Sequence, residues 1–351
     1  MLRSFLRACV IMAWVSVAAP AQPAGGAAET RPAAGPSSGR TVAQELGFGP
    51  TERLLIIHCD DAGMCHSANQ GTIEAMTEGV ANSASVMMPC PWVLEFIETC
   101  RQRPDLDVGL HLTLTSEWRH FRWRPVTPFT EVPGLIDPEG YLWRDVPSVA
   151  LKATPDEVER ELRAQVRRAL DLGLKPTHLD THMGTVFARP DFFAAYRKVA
   201  LEFKLPYLLP RLTEEQLARR DALTRMTAGN ILKQLGDSRE FTLDDLKSIE
   251  GNVPLDGQKD YYTGVIRGLK PGITQIIIHC GVEGEELRAV TGSHARRDMD
   301  RRVFMDPDIR NLIEREGVRL ITWREIGRRQ RQYLGLHGGP GEERPDRTES
   351  K

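Results

Sequence analysis

The chain has 351 residues, with 46 basic and 48 acidic side chains and a formal net charge of −2. This length suffices for one large domain or two ordinary domains. The near-neutral charge gives no indication of a nucleic-acid partner. The cysteine spacings contain no CxxC metal or redox motif.

The N-terminus has the pattern of an export signal. Arg3 and Arg7 precede the apolar run 8–19, and Ala-Pro-Ala at 19–21 fits a small-x-small cleavage site. The alternative is a membrane anchor, but the run is short for a bilayer span. We therefore expect residues 1–21 to be removed, and the mature protein to be periplasmic or secreted without a stable membrane anchor.

Two further segments lack the apolar residues that a folded core needs. Residues 22–43 are rich in Pro, Ala, Gly and Ser, and residues 335–351 are rich in Gly, Pro and charged side chains. Such segments cannot bury enough apolar surface to fold, which is typical of linkers and disordered tails. The folded domain is therefore expected at 44–334.

Strand and helix patterns alternate along this domain. The predicted strands are one from 54 to the acidic pair at 60–61, then 84–88, 107–112, 176–182, 206–210, 274–279 and 319–323. The predicted helices are 67–79, 91–101, 154–173, 190–203, 213–225, 231–235, 242–249, 259–269 and 306–316. Residues 115–147 show no period and are expected to form a long ordered loop that could cover a site. Apolar strands that alternate with helices predict an α/β fold with a parallel sheet.

The stretch from Leu54 to Gly63 carries the first functional pattern. It is a buried apolar strand that ends in Asp60 and Asp61. Because neighbours on a strand point to opposite faces, both carboxylates serve one site only where the backbone turns, and Gly63 permits a turn. Adjacent carboxylates push their pKa values apart, which suits one base and one metal ligand. The alternative is that Asp61 caps the next helix and Asp60 is solvated.

Further ionisable residues lie at other strand ends. His178, Asp180 and His182 share one strand face, and His111 and His279 end two more predicted strands. In parallel α/β folds, sites form at the C-terminal ends of the strands. Two imidazoles and one carboxylate are typical of catalytic zinc and related hydrolytic sites, and also of non-haem iron. Any one of these histidines could be structural, but the set favours a metal site.

These motifs resemble the YdjC-like carbohydrate deacetylases, which include chitooligosaccharide deacetylases. The family patterns A-D-D-F-G, D-V-G-x-H-L, P-T-H-x-D-S-H and H-P-G correspond here to 59–63 (CDDAG), 107–112 (DVGLHL), 176–182 (PTHLDTH) and 279–281 (HCG). The resemblance covers about 52–327. It implies a distorted (β/α) TIM-like barrel and a hydrolase that removes N-acetyl groups from amino-sugar oligosaccharides.

The resemblance also implies roles for individual residues. Asp61, His111 and His182 would bind a divalent metal, Mg²⁺ or Zn²⁺. Asp60 would be the catalytic base. His279 would be a second catalytic group that protonates the departing amine, for which the ordinary histidine pKa near 6.5 is suitable. The implied partner is an acetylated amino-sugar oligosaccharide, and a homo-oligomer stays open.

Other residues are candidates for support or substrate contact. His178 and Asp180 are expected to support the ligands, and Arg211 to orient Asp60 or the substrate, although a surface position is an alternative for Arg211. The tryptophans of the long loop could stack on sugar rings or pack beneath the loop. These tryptophans are Trp118, Trp123 and Trp143.

The sequence departs from the family pattern at several positions. Ala62 replaces a Phe, His58 stands where Asn is usual, and 183–185 (Met-Gly-Thr) replaces a histidine-rich run. The substrate could therefore differ. The alternatives are an iron oxygenase, which would need a β-sandwich, a secreted glycan-binding protein without catalysis, and a metal hydrolase of another amide or ester.

Overall fold

A computed structural model describes residues 40–211, 213–218, 221–236, 240–249 and 253–333. The expected signal peptide, the expected linker up to residue 39 and the expected C-terminal tail lie outside these residues. In the described part of the chain, no helix is both long enough and apolar enough to cross a bilayer.

Seven parallel strands form one sheet among the described residues. They are β1 (Arg53–Ala62), β2 (Ser83–Val86), β3 (Val108–Leu112), β4 (Leu179–Thr181), β5 (Asp245–Ser248), β6 (Gly272–Ile278) and β7 (Arg319–Leu320). The order is β4-β3-β2-β1-β6-β5, and β7 pairs separately with β1. Parallel neighbours require crossover connections, and helices supply most of them.

The helices of the described residues are α1 (Val42–Glu45), α2 (His66–Thr77), α3 (Val93–Gln102), α4 (Val146–Lys152), α5 (Pro155–Asp171), α6 (Pro190–Glu202), α7 (Glu214–Ala218), α8 (Ala222–Leu235), α9 (Gln258–Arg267), α10 (Glu285–Val290), α11 (His294–Met305), α12 (Pro307–Arg315) and α13 (Trp323–Tyr333). The start of α5 shows how the sequence sets a boundary. Thr154 and Glu157 form a reciprocal capping box, and Pro155 occupies the first turn, where its missing N–H costs nothing.

The segment 206–210 partly closes the curled sheet. Tyr207 bridges to Leu179 of β4, and Pro210 bridges to Leu243 just before β5. The sheet is therefore a curled half-barrel of parallel strands with helices around it, which confirms the predicted α/β fold class and its distorted-barrel form.

Strand β1 lies at the centre of the core. Its apolar run 54–57 is buried and pairs with β6, residue by residue, from Arg53 with Gly272 to Cys59 with Ile278. Because both faces of this strand are covered, its sequence shows a continuous apolar run without polar alternation. The C-terminal end of β1 is thereby held in a fixed position at one edge of the sheet.

Several local predictions are wrong. Residues 242–249 were predicted as a helix, but they contain β5, which pairs with β6 despite its polar sequence. The last predicted strand, 319–323, is shorter, because Trp323 begins α13. Folded structure also begins before residue 44, since Val42 and Ala43 in α1 are buried.

Helices α10 and α11 were not predicted from the sequence. Their surfaces carry many charges in place of an apolar stripe, and these charges form ion pairs, such as Arg301 and Arg302 with Asp298. The long segment 115–147 is largely irregular as expected, but α4 begins at its end.

Candidate metal centre and catalytic residues

A β-bulge places Asp60 and Asp61 at one site. Strand β1 pairs Cys59 with Ala84 and then Ala62 with Val86, so β1 has one extra residue between these pairs. Asp61 has a φ of 66°, a left-handed conformation that Asp tolerates better than most residues. The expected reorientation of the backbone therefore begins at Asp61, and Gly63, which has a φ of 82°, takes part in the turn as expected.

Asp61, His111 and His182 converge as the resemblance implied. The Asp61 Oδ1 atom lies 3.4 Å from His111 Nε2 and 3.2 Å from His182 Nδ1, and the two nitrogens are 3.2 Å apart. All three side chains are buried. Ligand atoms held at about 2.0–2.2 Å from one tetrahedral or octahedral ion lie roughly 3.0–3.5 Å from each other.

The buried Asp61 Oδ1 atom also lacks a well-aligned hydrogen-bond donor among the described residues. A buried acceptor without a donor is costly, and a cation would satisfy it. The donor set and its spacing therefore fit a divalent metal, and these three residues could hold one.

Arg297 keeps Asp61 ionised. Burial alone would raise the pKa of Asp61, but the Arg297 guanidinium and the two imidazoles hold this pKa well below its usual value. The Arg297 Nη2 atom donates to Asp61 Oδ2 at 2.6 Å, and both groups are buried. Sequence reasoning missed Arg297, because it comes from α11, where nothing in the sequence pattern distinguishes it from its charged neighbours.

The surroundings of the two imidazoles favour positive charge. Burial lowers the pKa of His182, but the Glu117 charge and Asp61 outweigh this effect and raise it to about 9. His111 likewise has a pKa well above the ordinary value, because Asp60 and Asp180 outweigh its burial. This part of the site can therefore bind either protons or a cation, which compete for the same nitrogens.

Glu117 was not predicted as a site residue. Its carboxylate lies 3.0 Å from His182 Nε2, on the side of the ring opposite to the metal-facing Nδ1. The residue belongs to the irregular segment 115–147, which has no motif to identify it. A carboxylate on the outer nitrogen of a ligand histidine fixes the tautomer and the orientation of the ring.

Asp180 links two histidines beneath the metal site. Its Oδ1 atom lies 2.8 Å from His111 Nδ1, and its Oδ2 atom lies 2.8 Å from His58 Nε2. The contact between Asp180 and His111 Nδ1 orients the His111 ring so that its Nε2 atom points toward Asp61. The His58 ring reaches Ser83 on its other side at 3.0 Å. The supporting role of Asp180 stays a prediction, for which these contacts supply the geometry.

His178 is not one of the three candidate ligands described above, but with His58 and Asp180 it forms an adjacent buried group that could also hold an ion. Its Nδ1 atom contacts Thr177 Oγ1 at 3.0 Å, and its Nε2 atom is 3.9 Å from Asp180 Oδ2. The ring stacks on Trp323 at 4.6 Å between centroids. Its contacts are those of a packed core residue next to Asp180.

Asp60 and His279 face each other across the site. Asp60 Oδ2 lies 3.9 Å from His279 Nε2, and Asp60 Oδ1 lies 3.3 Å from His58 Nε2. Burial raises the pKa of Asp60 to about 6. Partial burial, with 24% of the side chain exposed, lowers the pKa of His279 from its ordinary value, which disfavours the protonated form that was expected from the sequence. Asp300 fixes the His279 backbone by accepting its N–H at 3.0 Å.

Arg211 does not have the expected contacts with the site. It donates to Glu45 at 2.7 Å and to the Arg40 carbonyl at 2.9 Å, and its guanidinium lies over the Phe241 ring. These contacts fasten the N-terminal helix α1 to the domain. The arginine that contacts an aspartate of the site is Arg297, and this aspartate is Asp61.

The tryptophans of the long loop pack in the interior. Trp118 and Trp123 are buried, with only 6% and 3% of their surfaces exposed. Trp123 Nε1 donates to the Thr115 carbonyl, and Trp143 Nε1 donates to the Gly134 carbonyl. The packing alternative is therefore the better interpretation for Trp118 and Trp123.

The fold and the site together define a parallel α/β half-barrel with a candidate metal centre at the carboxyl edge of its strands. The family model described as "YdjC-like protein" matches residues 54–315. The chain belongs to this family, which confirms the resemblance of its motifs.

Two curated carbohydrate deacetylases match over nearly their whole length, and a chitooligosaccharide deacetylase matches over part of its length. A carbohydrate deacetylase from Thermus thermophilus is 31% identical over 283 residues, which are 81% of this chain and 97% of that protein. One from Brevibacillus brevis is 30% identical over 274 residues, which are 78% of this chain and 99% of that protein. A chitooligosaccharide deacetylase from Yersinia enterocolitica is 33% identical over 168 residues, which are 47% of this chain and 62% of that protein.

A solved structure supports the fold. The crystal structure of a candidate cellobiose-phosphate cleavage protein from Enterococcus faecalis V583 superimposes with a TM-score of 0.65 at 23% identity. The match covers 79% of this chain and 99% of that chain. At this identity the likeness concerns the architecture alone.

Proposed function

We propose that the protein is a metal-dependent hydrolase that removes N-acetyl groups from amino-sugar-containing oligosaccharides and releases acetate. The observation that carries this proposal is the convergence of Asp61, His111 and His182 beside a second carboxylate, Asp60. The relatives named carbohydrate deacetylase and chitooligosaccharide deacetylase support it.

Asp61, His111 and His182 would hold the metal, and Mg²⁺ or Zn²⁺ would suit this site. When bound, such an ion supplies a Lewis acid for the acetamide carbonyl and acidifies water at the site. The protein prepares this position by keeping Asp61 ionised through Arg297. It also orients His111 through Asp180 and His182 through Glu117.

Asp60 is placed to act as the general base. Its carboxylate is mostly buried but not sealed, with 8% of the residue exposed, and its Oδ2 atom faces His279. Asp60 Oδ2 takes a proton from water as the water oxygen bonds to the acetamide carbon. A base whose pKa lies near the working pH is effective in such a transfer.

The second half of the reaction needs a proton on the leaving nitrogen. Because of its low pKa, His279 is neutral before the reaction begins, so it does not already carry the proton that the leaving nitrogen needs. His279 Nε2 lies 3.9 Å from Asp60 Oδ2, so after a small approach His279 can relay the proton held by Asp60 to the leaving nitrogen in one concerted step, without a stable imidazolium. Transfer of that proton to nitrogen accompanies cleavage of the C–N bond, which leaves a free amine and acetic acid, and the acid then releases its proton to give acetate.

The structure supports the three alternative functions to different degrees. The iron oxygenase would need a β-sandwich, and the parallel half-barrel excludes that fold. A glycan-binding protein without catalysis would not need Asp60 beside three convergent ligand atoms. A hydrolase of another amide or ester uses the same groups, and the departures at 183–185 keep it as the second candidate.

The test is incubation of the metal-loaded protein with acetylated amino sugars, with released acetate as the readout. We expect acetate from N-acetylglucosamine oligomers, and a loss of at least about 100-fold in Asp60→Asn, which cannot accept the proton. Release from other amides or esters only would favour the second candidate. Sugar binding without any acetate would favour the glycan-binding alternative.

We also propose that the protein is exported, on the basis of its N-terminal segment. Mature protein from its native host should begin near Gln22. Cell fractionation and N-terminal sequencing test this, and a cytosolic chain that still begins at Met1 would refute it.

A further inference from the structure

Trp92 is an exposed aromatic residue at the same edge of the sheet as the candidate metal centre. It lies at the N-cap of α3, after strand β2, and 39% of its surface is exposed. Its backbone N–H donates to the Gly63 carbonyl at 3.1 Å, two residues after Asp61. Of the three tryptophans for which sugar stacking was considered, Trp118 and Trp123 are buried and Trp143 is half-buried, whereas Trp92 presents an exposed ring.

Two neighbours hold this ring in place. The His66 ring lies against Trp92 with 5.2 Å between centroids, and its Nδ1 atom is 2.7 Å from the Glu95 carboxylate. The His66 and Glu95 side chains are themselves partly exposed. We call Trp92, His66 and Glu95 the Trp92 platform.

Asn69 connects the platform to the metal centre. Its Oδ1 atom accepts the Gly63 N–H at 2.7 Å, and its Nδ2 group donates to Glu95 and to the Trp92 carbonyl. Asn69 is buried, with 1% of its surface exposed. The platform is therefore fixed relative to the turn that carries Asp61.

The position of Trp92 in the fold places it next to the acidic turn. Strand β2 is a direct neighbour of β1 in the sheet, and residue 92 lies between the carboxyl end of β2 and the start of α3. The bond from the Trp92 N–H to the Gly63 carbonyl joins this segment to the end of β1. The platform therefore lies beside the turn that carries Asp61.

The composition of the platform matches the surface of a pyranose ring. A pyranose has an apolar C–H face, which an indole ring can cover, and polar hydroxyl groups around its edge. Trp combines a large apolar face with low conformational entropy cost, which explains its enrichment at binding surfaces. The His66 Nδ1–H donates to Glu95, so the other ring nitrogen, Nε2, and the remaining lone pairs of the Glu95 carboxylate are acceptors for the hydroxyl groups.

We propose that the Trp92 platform is a sugar subsite, which binds a pyranose unit of the oligosaccharide next to the unit that is deacetylated. The proposal rests on the proposed function, since it assigns a second contact to the same substrate. It makes the enzyme selective for oligomers over single amino sugars, because only an oligomer reaches both the metal centre and the platform.

The experiment compares substrates of increasing length in matched variants. The probes are β-1,4-linked N-acetylglucosamine oligomers from one to four units, and the readout is kcat/KM for acetate release. The variants are Trp92→Ala, Trp92→Phe and the control Leu94→Ala, which removes an exposed apolar side chain from the same helix.

We expect Trp92→Ala to reduce the preference for the tetramer over the monomer by roughly tenfold, the equivalent of one lost aromatic contact. Trp92→Phe should retain part of the preference, and Leu94→Ala should retain all of it. An unchanged preference in Trp92→Ala, with an active wild-type enzyme, would overturn the platform and leave the proposed function intact.

A direct titration separates failure of the platform from failure of the proposed function. If wild-type protein releases acetate from none of the oligomers, the proposed function fails. Calorimetric titration of metal-loaded protein with the tetramer then decides the platform on its own. If the tetramer binds Trp92→Ala more weakly than it binds wild type and Leu94→Ala, the platform is supported. If the tetramer binds all three proteins equally, or binds none of them, the platform is overturned.

Discussion

Asp60 and Asp61 are consecutive residues, yet both carboxylates face His111. Asp60 Oδ2 lies 3.8 Å and Asp61 Oδ1 lies 3.4 Å from His111 Nε2. Consecutive residues of a regular strand would point to opposite faces, and the bulge at Asp61 removes this restriction. Only Asp61 contacts Arg297, so the pKa values of the two carboxylates move in opposite directions. One dipeptide therefore supplies an ionised carboxylate and a second carboxylate with a raised pKa, which suits the proposed roles of metal ligand and base.

This difference predicts different outcomes for two isosteric changes. Asp61→Asn should lower metal content, because an amide is a weaker ligand and Arg297 loses its buried partner. Asp60→Asn should keep the metal and lower kcat by about 10²–10⁴-fold, the usual effect of losing a general base. Metal analysis and acetate release, measured on both variants, check these expectations.

Each of the two variants is the control for the other, because each removes one negative charge from the same turn. Near-normal turnover in metal-loaded Asp60→Asn would exclude Asp60 as the base. Full metal occupancy in Asp61→Asn would exclude Asp61 as a ligand.

The histidines should also separate by role. His111→Ala and His182→Ala remove atoms of the candidate ligand set, so both should lose most of the bound metal and the activity. His178→Ala should keep the metal but lower thermal stability by about 2–5 kcal/mol, because it leaves a cavity against Trp323. Metal content and calorimetric melting test the three together, and a metal-free His178→Ala that is stably folded would contradict the assignment.

The parts of the site that sequence could predict are those on apolar strands. Strands β1 and β6 are buried on both faces, so their apolar runs are unmistakable, and Asp60, Asp61 and His279 stand at their ends. Arg297 and Glu117 could not be predicted, because one lies in a charged helix and the other in an irregular segment. Their roles arise only from tertiary packing.

The same distinction explains the wrong predictions. Strand β5 has the polar sequence Asp-Leu-Lys-Ser, so it contains no apolar run that would predict a strand. It is stabilised by pairing with β6. Arg211 follows a strand-like segment in sequence, which suggested a place at the site. The direction of its side chain, toward Glu45, is set by packing that the sequence does not reveal.

The rate should fall on the acid side of the pH profile. Burial raises the pKa of Asp60 to about 6, and the base works only when ionised. Activity is therefore present above this pKa and is lost as the pH falls through it. A bound cation adds positive charge nearby, which moves the midpoint down from this value and never up. Measurement of kcat/KM against pH at saturating metal checks this, with metal content checked at each pH because protonation of His111 and His182 competes with the ion. An acid limb centred above about 7 would contradict it.

The last prediction concerns a glycine pair that tests how His279 is held. Gly71 lies in α2, and a Cβ atom there would come within 2.5 Å of the backbone of Gly281, two residues after His279. Gly264 lies in α9, where a Cβ atom would meet nothing within 4 Å. Both are helical glycines, so the intrinsic gain in helix propensity is the same for both and only the contacts differ.

Gly71→Ala must displace the backbone that follows His279, because the atoms that the new Cβ would contact are backbone atoms and not the end of a flexible side chain. We expect it to lose about 1–3 kcal/mol of stability through overpacking and to lower kcat while the metal is retained. Gly264→Ala should instead gain about 0.5–1 kcal/mol and leave kcat unchanged. Thermal melting, metal analysis and acetate release distinguish the two. If Gly71→Ala were as stable and as active as Gly264→Ala, the close approach of α2 would not determine the position of His279.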